Sequence, residues 1–149
     1  MISPTGKLDL RGQDKWGHGG FGRPRGTRCH HGIDFVIDPD NYVYFPFHYG
    51  YIERVVKPYA QDDRYSGVLL RGFDGNIEYI AKIFYFQPDL KWNSDVIELK
   101  QGDIIGESQD LALRYPEITN HIHLQVALAV TPRIWTNPIA ILREYEERH

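Results

Sequence analysis

Short runs of aromatic and β-branched residues, separated by turn residues, follow Phe35 along most of the chain. This pattern is typical of strands in a meandering antiparallel sheet. The pair Asp74-Gly75 between two of the runs is a strong hairpin signal. A shorter run over 102–106 also indicates a strand between turns. The longer runs predict strands over 41–45, 50–56, 67–72, 77–86 and 121–130.

The two ends of the chain follow different patterns. Residues 1–29 are rich in glycine, arginine and proline, which predicts a loop-rich segment. At the other end, Asn137 can cap a helix, Pro138 suits its first position, and apolar residues follow at helical spacing. The sequence therefore predicts a mainly β fold, with an antiparallel β-sheet core, long loops and a short C-terminal helix over 137–147.

Composition limits the class of protein. With 149 residues, of which 42% are hydrophobic, the chain suffices for one domain with one core, so we assign residues 1–149 to a single domain. The net charge of -3 and the lack of a long basic run argue against nucleic acid as the main partner.

The sequence has neither an apolar run long enough for a membrane span nor a secretory signal. The single cysteine, Cys29, excludes an intramolecular disulfide and is interpreted as a small, partly buried residue rather than a zinc ligand.

Two histidine-rich stretches carry the candidate chemistry. Four of the seven histidines lie in residues 29–35 and 120–126. In the second stretch, a β-strand would send His121 and His123 to the same face, because side chains two residues apart point the same way. Two imidazoles, a ligand type that zinc uses, would then line one wall.

The first stretch needs a bend before its residues can share an ion. His30 and Asp34 are four residues apart, which in a straight strand separates their side chains by roughly 13 Å. Zinc ligands, in contrast, lie about 2 Å from the ion. Gly32 allows the chain to bend between them, because it lacks a Cβ and tolerates backbone angles closed to other residues. The two stretches together predict one zinc site, with one ion per chain.

The two motifs together resemble those of the lysostaphin/LytM-type zinc endopeptidases, which are peptidoglycan hydrolases. The shared pattern is His30-x-x-x-Asp34 followed by His121-x-His123 on a β-rich chain, and the similarity extends over about residues 19–142. Further matching elements are Phe21-Gly22-Arg23, Val43-Tyr44-x-Pro46, Gly102-Asp103-x-Ile105-Gly106 and Asn137-Pro138. A closer likeness is to the leukocyte cell-derived chemotaxin branch of this fold, through Lys57-Pro58-Tyr59, Lys82-Ile83-Phe84-Tyr85 and Tyr115-Pro116.

The resemblance implies roles for four residues. His30, Asp34 and His123 would bind zinc, and water would hold the fourth position. A catalytic zinc has this arrangement of three protein ligands and one open site, and it lowers the pKa of its bound water to about 7. His121 would lie beside that water as general base, or as a donor to the tetrahedral intermediate.

One residue departs from the peptidase pattern. The active enzymes place a further catalytic histidine near the end of a central strand, where this sequence has Tyr85. A phenol with a reference pKa near 10 is a poor base at neutral pH, but it can donate a hydrogen bond to an oxyanion. The chemotaxin branch also has tyrosine there and is regarded as zinc-binding without peptidase activity. The alternative interpretation makes Tyr85 a core aromatic, on the strand face that carries Tyr79, Ala81 and Ile83.

Two other histidines are candidates for lining a cleft. His31 alternates with His30, so it is expected to face away from the metal, either exposed or close enough to contact substrate. His18 lies in the glycine-rich loop, where it is either solvated or reaches the cleft and the open zinc position.

Two function classes follow. The first is a zinc metalloendopeptidase that cleaves peptide cross-bridges or stems of bacterial peptidoglycan, and His121 favours it because three ligands would suffice for a structural role. The second is a catalytically inactive zinc-binding structural or recognition domain, which Tyr85 favours. Because the sequence has no export signal, we expect synthesis in the cytoplasm and action at the cell wall after delivery by a phage virion, a tail-like device or lysis.

Overall fold

The computed structural model describes residues 1–25, 28–92 and 97–142, and the protein is mainly β, as the sequence predicts. Two short 3-10 helices, Leu90–Trp92 and Leu111–Leu113, interrupt the strands. In chain order the strands are β1 (Gln13–Asp14), β2 (Gly17–His18), β3 (Pro24–Arg25), β4 (Arg28–Cys29), β5 (Ile33–Val36), β6 (Tyr42–Tyr44), β7 (Tyr49–Val56), β8 (Gly67–Asp74), β9 (Ile77–Phe84), β10 (Phe86–Pro88), β11 (Leu99–Lys100), β12 (Ile104–Ser108), β13 (His121–Leu128) and β14 (Trp135–Thr136).

The largest sheet is antiparallel and carries the candidate site. Its order is β11-β7-β8-β9-β13-β14, and β5 pairs with the first half of β13. The predicted hairpin forms between β8 and β9, where Gly75 adopts a φ of 61° that favours glycine. A smaller sheet, in the order β10-β12-β6, lies beside it. Because β13 has hydrogen-bonded neighbours on both sides, its register is firmly fixed.

The hydrophobic core follows from the alternation along these strands. On β13, Ile122, Leu124 and Val126 are fully buried in the main cluster. Side chains two residues apart share a face, so the histidines at 121 and 123 point to the opposite face of the same strand. Those two histidines are also buried, because the rings of His30, Phe84 and Tyr85 pack against them. The core therefore anchors the strand whose other face forms the candidate site.

The predicted strand over 77–86 is interrupted, which corrects one interpretation of Tyr85. Strand β9 ends at Phe84, and Tyr85 adopts a φ of 78°, which non-glycine residues rarely do. The chain then continues as β10 in the smaller sheet. This turn takes Tyr85 off the face that buries Ala81 and Ile83 in the core, so the prediction of a core aromatic is wrong.

The chain ends differ from the predictions in detail. The loop-rich segment over 1–29 contains two small hairpins, β1-β2 and β3-β4, and strand β5 begins soon after it. At the other end, the side chain of Asn137 accepts a hydrogen bond from the backbone N–H of Ile139, as expected of a helix cap, and residues 139–142 are helical. The rest of the helix predicted to 147 lies outside the described residues. Within the described ranges, no helix has the length and apolar character needed to cross a membrane.

Candidate metal centre

Neighbouring strands bring the two predicted motifs together. Asp34 on β5 and His123 on β13 are direct partners in the strand register. His30 approaches from the segment just before β5. All three side chains are buried, and each offers a ligand atom within 4.8 Å of the others. The structure thus contains a possible metal-binding triad, His30, Asp34 and His123, made of the residues that the sequence predicts.

A bend at Gly32 brings His30 back toward Asp34, as predicted, but for a different physical reason. Gly32 does not adopt a positive φ. Instead, its α-carbon lies against β13, and a Cβ added there would lie 2.2 Å from the carbonyl oxygen of Leu124. Glycine is required because the backbones approach closely, not because the backbone angle is unusual.

The candidate ligand atoms lie close together. His30 Nε2 is 2.9 Å from His123 Nδ1 and 3.4 Å from Asp34 Oδ1. His123 Nδ1 is 3.0 Å from the same carboxylate oxygen. Ligands about 2 Å from a tetrahedral ion are separated by roughly these distances.

The outer nitrogen of each ligand histidine fixes the tautomer of the ring. His30 Nδ1 lies 3.0 Å from the carbonyl oxygen of Gly20, and His123 Nε2 lies 2.9 Å from Gln125 Oε1. Because both partners accept, both outer nitrogens donate, and the two inner nitrogens carry lone pairs. These lone pairs and the carboxylate of Asp34 converge on one point. Such a set of acceptors fits a bound cation, and outer partners of this kind orient histidine ligands in metal sites.

A buried arginine holds the other oxygen of Asp34. Arg11, which is 3% exposed, donates from Nη1 to Asp34 Oδ2 at 2.9 Å. It also donates from Nε and Nη2 to the carboxylate of Asp14, at 2.9 Å and 2.7 Å. Burial alone would raise the pKa of Asp34, but its interactions with the surrounding histidines hold that pKa well below its usual range. Asp34 is therefore a carboxylate in the folded protein.

His121 lies beside the triad without belonging to it. Its Nδ1 donates to the carbonyl oxygen of Thr119 at 2.8 Å, so its Nε2 carries the lone pair. That Nε2 lies 3.5 Å from Asp34 Oδ2. Burial lowers the pKa of His121, which keeps the ring neutral and able to accept a proton.

Tyr85 faces the same cleft, with its ring edge-on to His121 at a centroid distance of 5.5 Å. Its hydroxyl lies 3.0 Å from that of Tyr59, which lies 2.6 Å from that of Tyr115. Arg114 donates from Nε to the hydroxyl of Tyr115 at 3.0 Å. Burial raises the pKa of Tyr85 to about 12, so the phenol keeps its proton at neutral pH.

The backbone of Tyr85 is held at its unusual φ by three hydrogen bonds. Its N–H and that of Phe86 both donate to the carbonyl oxygen of Ser66, and its own carbonyl accepts from Gln109 N–H. A strained residue persists when its surroundings over-determine it, and such residues cluster at functional sites. The turn aims the tyrosine ring into the cleft.

The triad, His121 and the tyrosines share an open cleft of about 490 Å³. His31 is exposed and lies on its rim, as expected for a residue that faces away from the metal but can contact a ligand. His18 does not line the cleft, and its Nδ1 instead accepts from the backbone N–H of Gly20 at 2.9 Å. Cys29 is exposed on the edge of a small hairpin, so the prediction that it is partly buried is wrong; it too lies on the cleft and outside the triad.

Several residues of the site were not predicted from the sequence. Gln125 lies two positions after His123, so the alternation that pairs the histidines also placed it on their face. Only the resemblance points to Tyr59 and Tyr115, since no periodic pattern in the sequence marks either residue. For Arg11 and Asp14 no local signal exists, because they reach the site through tertiary contacts from a glycine-rich segment.

Comparisons with known proteins include a sequence relative and a structural likeness. No protein-family model matches the chain. Myeloid protein 1 of Gallus gallus is 30% identical over 124 residues, which cover 78% of this chain. The chain spans 34% of the length of that protein, about a third. The crystal structure of CbpA from L. salivarius REN overlaps 88% of each chain with a TM-score of 0.49 and 15% sequence identity.

Proposed function

We propose that this chain is a zinc-dependent metalloendopeptidase of the peptidoglycan hydrolase type. The observation that carries the proposal is the convergence of two imidazole lone pairs and one carboxylate oxygen beside a fourth group, His121, in an open cleft. Three protein ligands next to an accessible space are typical of catalytic zinc, whereas structural zinc sites have four protein ligands.

Zinc is the ion that the donor set favours. Two nitrogen ligands and one carboxylate oxygen are found in zinc peptidases, whereas calcium and magnesium prefer oxygen ligands alone. His30, Asp34 and His123 would hold the ion, since two inner lone pairs and one carboxylate oxygen converge there. When bound, zinc supplies a water of lowered pKa and polarises a carbonyl oxygen.

The residues of the chain supply the remaining chemistry. The ring of His121 is neutral and is held by the carbonyl of Thr119. Its Nε2 would accept a proton from the attacking water and return it to the leaving amine. The protonated phenol of Tyr85, whose ring lies edge-on to that of His121, would donate a hydrogen bond to the developing oxyanion. These two roles need no histidine at position 85.

A peptide of bacterial peptidoglycan is the proposed substrate. The two motifs that resemble those of the lysostaphin/LytM-type enzymes are the ones whose side chains meet at the cleft. An extended peptide fits an open groove of this size better than a small, fully enclosed ligand does.

A second candidate function rests on Tyr85. A zinc-binding structural or recognition domain of the same fold would need the triad and no general base. The phenol of Tyr85 is hydrogen-bonded to a second tyrosine. This arrangement fits a residue that lines a binding site as well as it fits a catalytic residue. The neutral, oriented His121 favours the enzyme.

The deciding experiment measures hydrolysis of purified peptidoglycan sacculi of several chemotypes. Wild-type protein, His121→Ala and a chelator-treated sample are compared by loss of turbidity and by release of muropeptides. We expect release only with zinc and His121 both present. His48→Ala serves as the matched control, because His48 is exposed and does not line the cleft.

Two outcomes would contradict the enzyme proposal. Tight binding of one zinc per chain without any release would assign the protein to the recognition class. Release that persists in His121→Ala would remove His121 from the mechanism.

A further inference from the structure

The two carboxylate oxygens of Asp34 have different partners, because the buried guanidinium of Arg11 binds only one of them. Oδ2 accepts from Arg11 Nη1 at 2.9 Å. Oδ1 faces the two inner histidine nitrogens, at 3.0 Å and 3.4 Å. The carboxylate therefore presents one oxygen to the candidate metal position and the other to a fixed cation.

Arg11 is itself held on all sides. Asp14 accepts from its Nε and Nη2, the carbonyl oxygen of Gly17 accepts from Nη2 at 3.2 Å, and its backbone N–H donates to the carbonyl of Asp34 at 2.9 Å. A planar fork that bonds two carboxylates at once is a geometry that arginine provides and lysine does not. At 3% exposure, the side chain is almost fully shielded from solvent.

We propose that Arg11 is a positioning residue that keeps Asp34 a one-oxygen ligand and so preserves an open position at the metal. A carboxylate can bind a metal through one or both oxygens. If Asp34 used both, the second oxygen would compete for the position that a catalytic zinc leaves to water or substrate. The hydrogen bond from Arg11 removes that competition, because turning Oδ2 toward the metal would leave a buried guanidinium N–H without its partner. This inference rests on the metal binding of the proposed function, not on hydrolysis.

The test replaces zinc with Co²⁺ and reads the coordination number from the visible absorption of the cobalt. X-ray absorption of the zinc form counts neighbours independently. For wild type we expect four-coordinate cobalt. In Arg11→Met we expect a gain of one oxygen neighbour and the weaker visible band of five-coordinate cobalt. Arg71→Met is the matched control, since Arg71 pairs with Glu53 and does not line the cleft, and it should match wild type.

A second variant covers the case in which Arg11→Met does not fold. The double variant Arg11→Met, Asp14→Asn removes the charge that Arg11 would otherwise leave unpaired, and circular dichroism verifies its fold. Arg11→Lys should restore the wild-type spectrum in part, because an ammonium can hold one carboxylate. An unchanged four-coordinate spectrum in whichever arginine-free variant folds would overturn the inference. Wild-type protein that binds no metal would instead overturn the proposed zinc site.

Discussion

The two sides of the cleft are built on different principles. The histidine wall consists of His30, His121 and His123. Strand register places the last two, and each of the three rings donates one N–H to a fixed acceptor. The tyrosine wall, Tyr59, Tyr85 and Tyr115, comes from three separate segments, and its hydroxyls bond to one another. The histidine wall thus offers lone pairs, whereas the tyrosine wall offers protons. A reaction that needs both a base and an oxyanion donor would use one wall for each.

The largest expected effect separates two members of the histidine wall. His123→Ala should release zinc, because it removes a ligand. His121→Ala should keep zinc and lower hydrolysis by about 10²-fold to 10⁴-fold, the usual contribution of a general base. Zinc content after dialysis and muropeptide release check both. Equal zinc loss in the two variants would contradict the assignment of His123 as a ligand and His121 as a general base.

The bend that completes the histidine wall is tested by Gly32→Ala. The added Cβ would meet the carbonyl oxygen of Leu124 at 2.2 Å, and backbone atoms cannot move aside cheaply. We expect a loss of about 3 kcal/mol in the free energy of unfolding, measured with urea, and reduced zinc content. Gly12→Ala is the control, because a Cβ there meets nothing within 4 Å. Its stability should stay within about 0.5 kcal/mol of wild type. Similar losses in both variants would refute the close-approach explanation.

The tyrosine wall is tested by paired removal of hydroxyls. Tyr85→Phe should lower kcat about 10²-fold to 10³-fold with little change in KM, if its phenol stabilises the oxyanion. Tyr59→Phe should cost less, because Tyr85 keeps its own hydroxyl and loses only a neighbour. Equal losses would indicate that the two tyrosines act as one structural unit. No loss in either would separate the tyrosine wall from catalysis.

The smallest expected effect concerns the hairpin that joins the walls. Asp14 accepts from Arg11 on the histidine side, and from the backbone N–H groups of Trp16 and Thr119 near the tyrosine side. Although burial alone would raise the pKa of Asp14, these hydrogen bonds hold it well below its usual range. Because the pKa of Asp14 is lower in the folded state, the folded protein is stabilised at pH values above the unfolded-state pKa of about 3.9. This stabilisation is lost as the pH falls below that value.

Metal-free Asp14→Asn should therefore lose less stability than wild type on acidification. We expect a difference of about 1 kcal/mol, because pH 3 lies about one unit below the unfolded pKa and each unit corresponds to about 1.4 kcal/mol. Urea unfolding at about pH 6 and about pH 3 measures it. An identical loss of unfolding free energy in both proteins would show that the carboxylate of Asp14 does not stabilise the contact between the two walls.

The sequence predicted the histidine wall because strand alternation and motif spacing are local properties. His121 and His123 share a face for that reason, and Asp34 meets His123 across a strand pair. The tyrosine wall could not be predicted in the same way. Its geometry depends on a turn at Tyr85 with an unusual φ, and no propensity of Phe84 or Tyr85 signals that turn. The role of Arg11 could not be predicted for a related reason. Its buried ion-pair partner, Asp34, lies twenty-three residues away in the sequence, and such a pair leaves no periodic pattern.

Strand β13 has a consequence for how quickly the site responds to metal supply. It is hydrogen-bonded to β5 on one side and to β9 on the other, and its opposite face anchors the main core. Sliding by one residue would exchange the histidines for Ile122 and Leu124, at the cost of the whole core. The nitrogen atoms are thus arranged before any ion arrives, and metal uptake should be a docking step rather than a folding step. After loss of the ion, the ligand side chains would keep their arrangement, and the site could bind metal again without refolding.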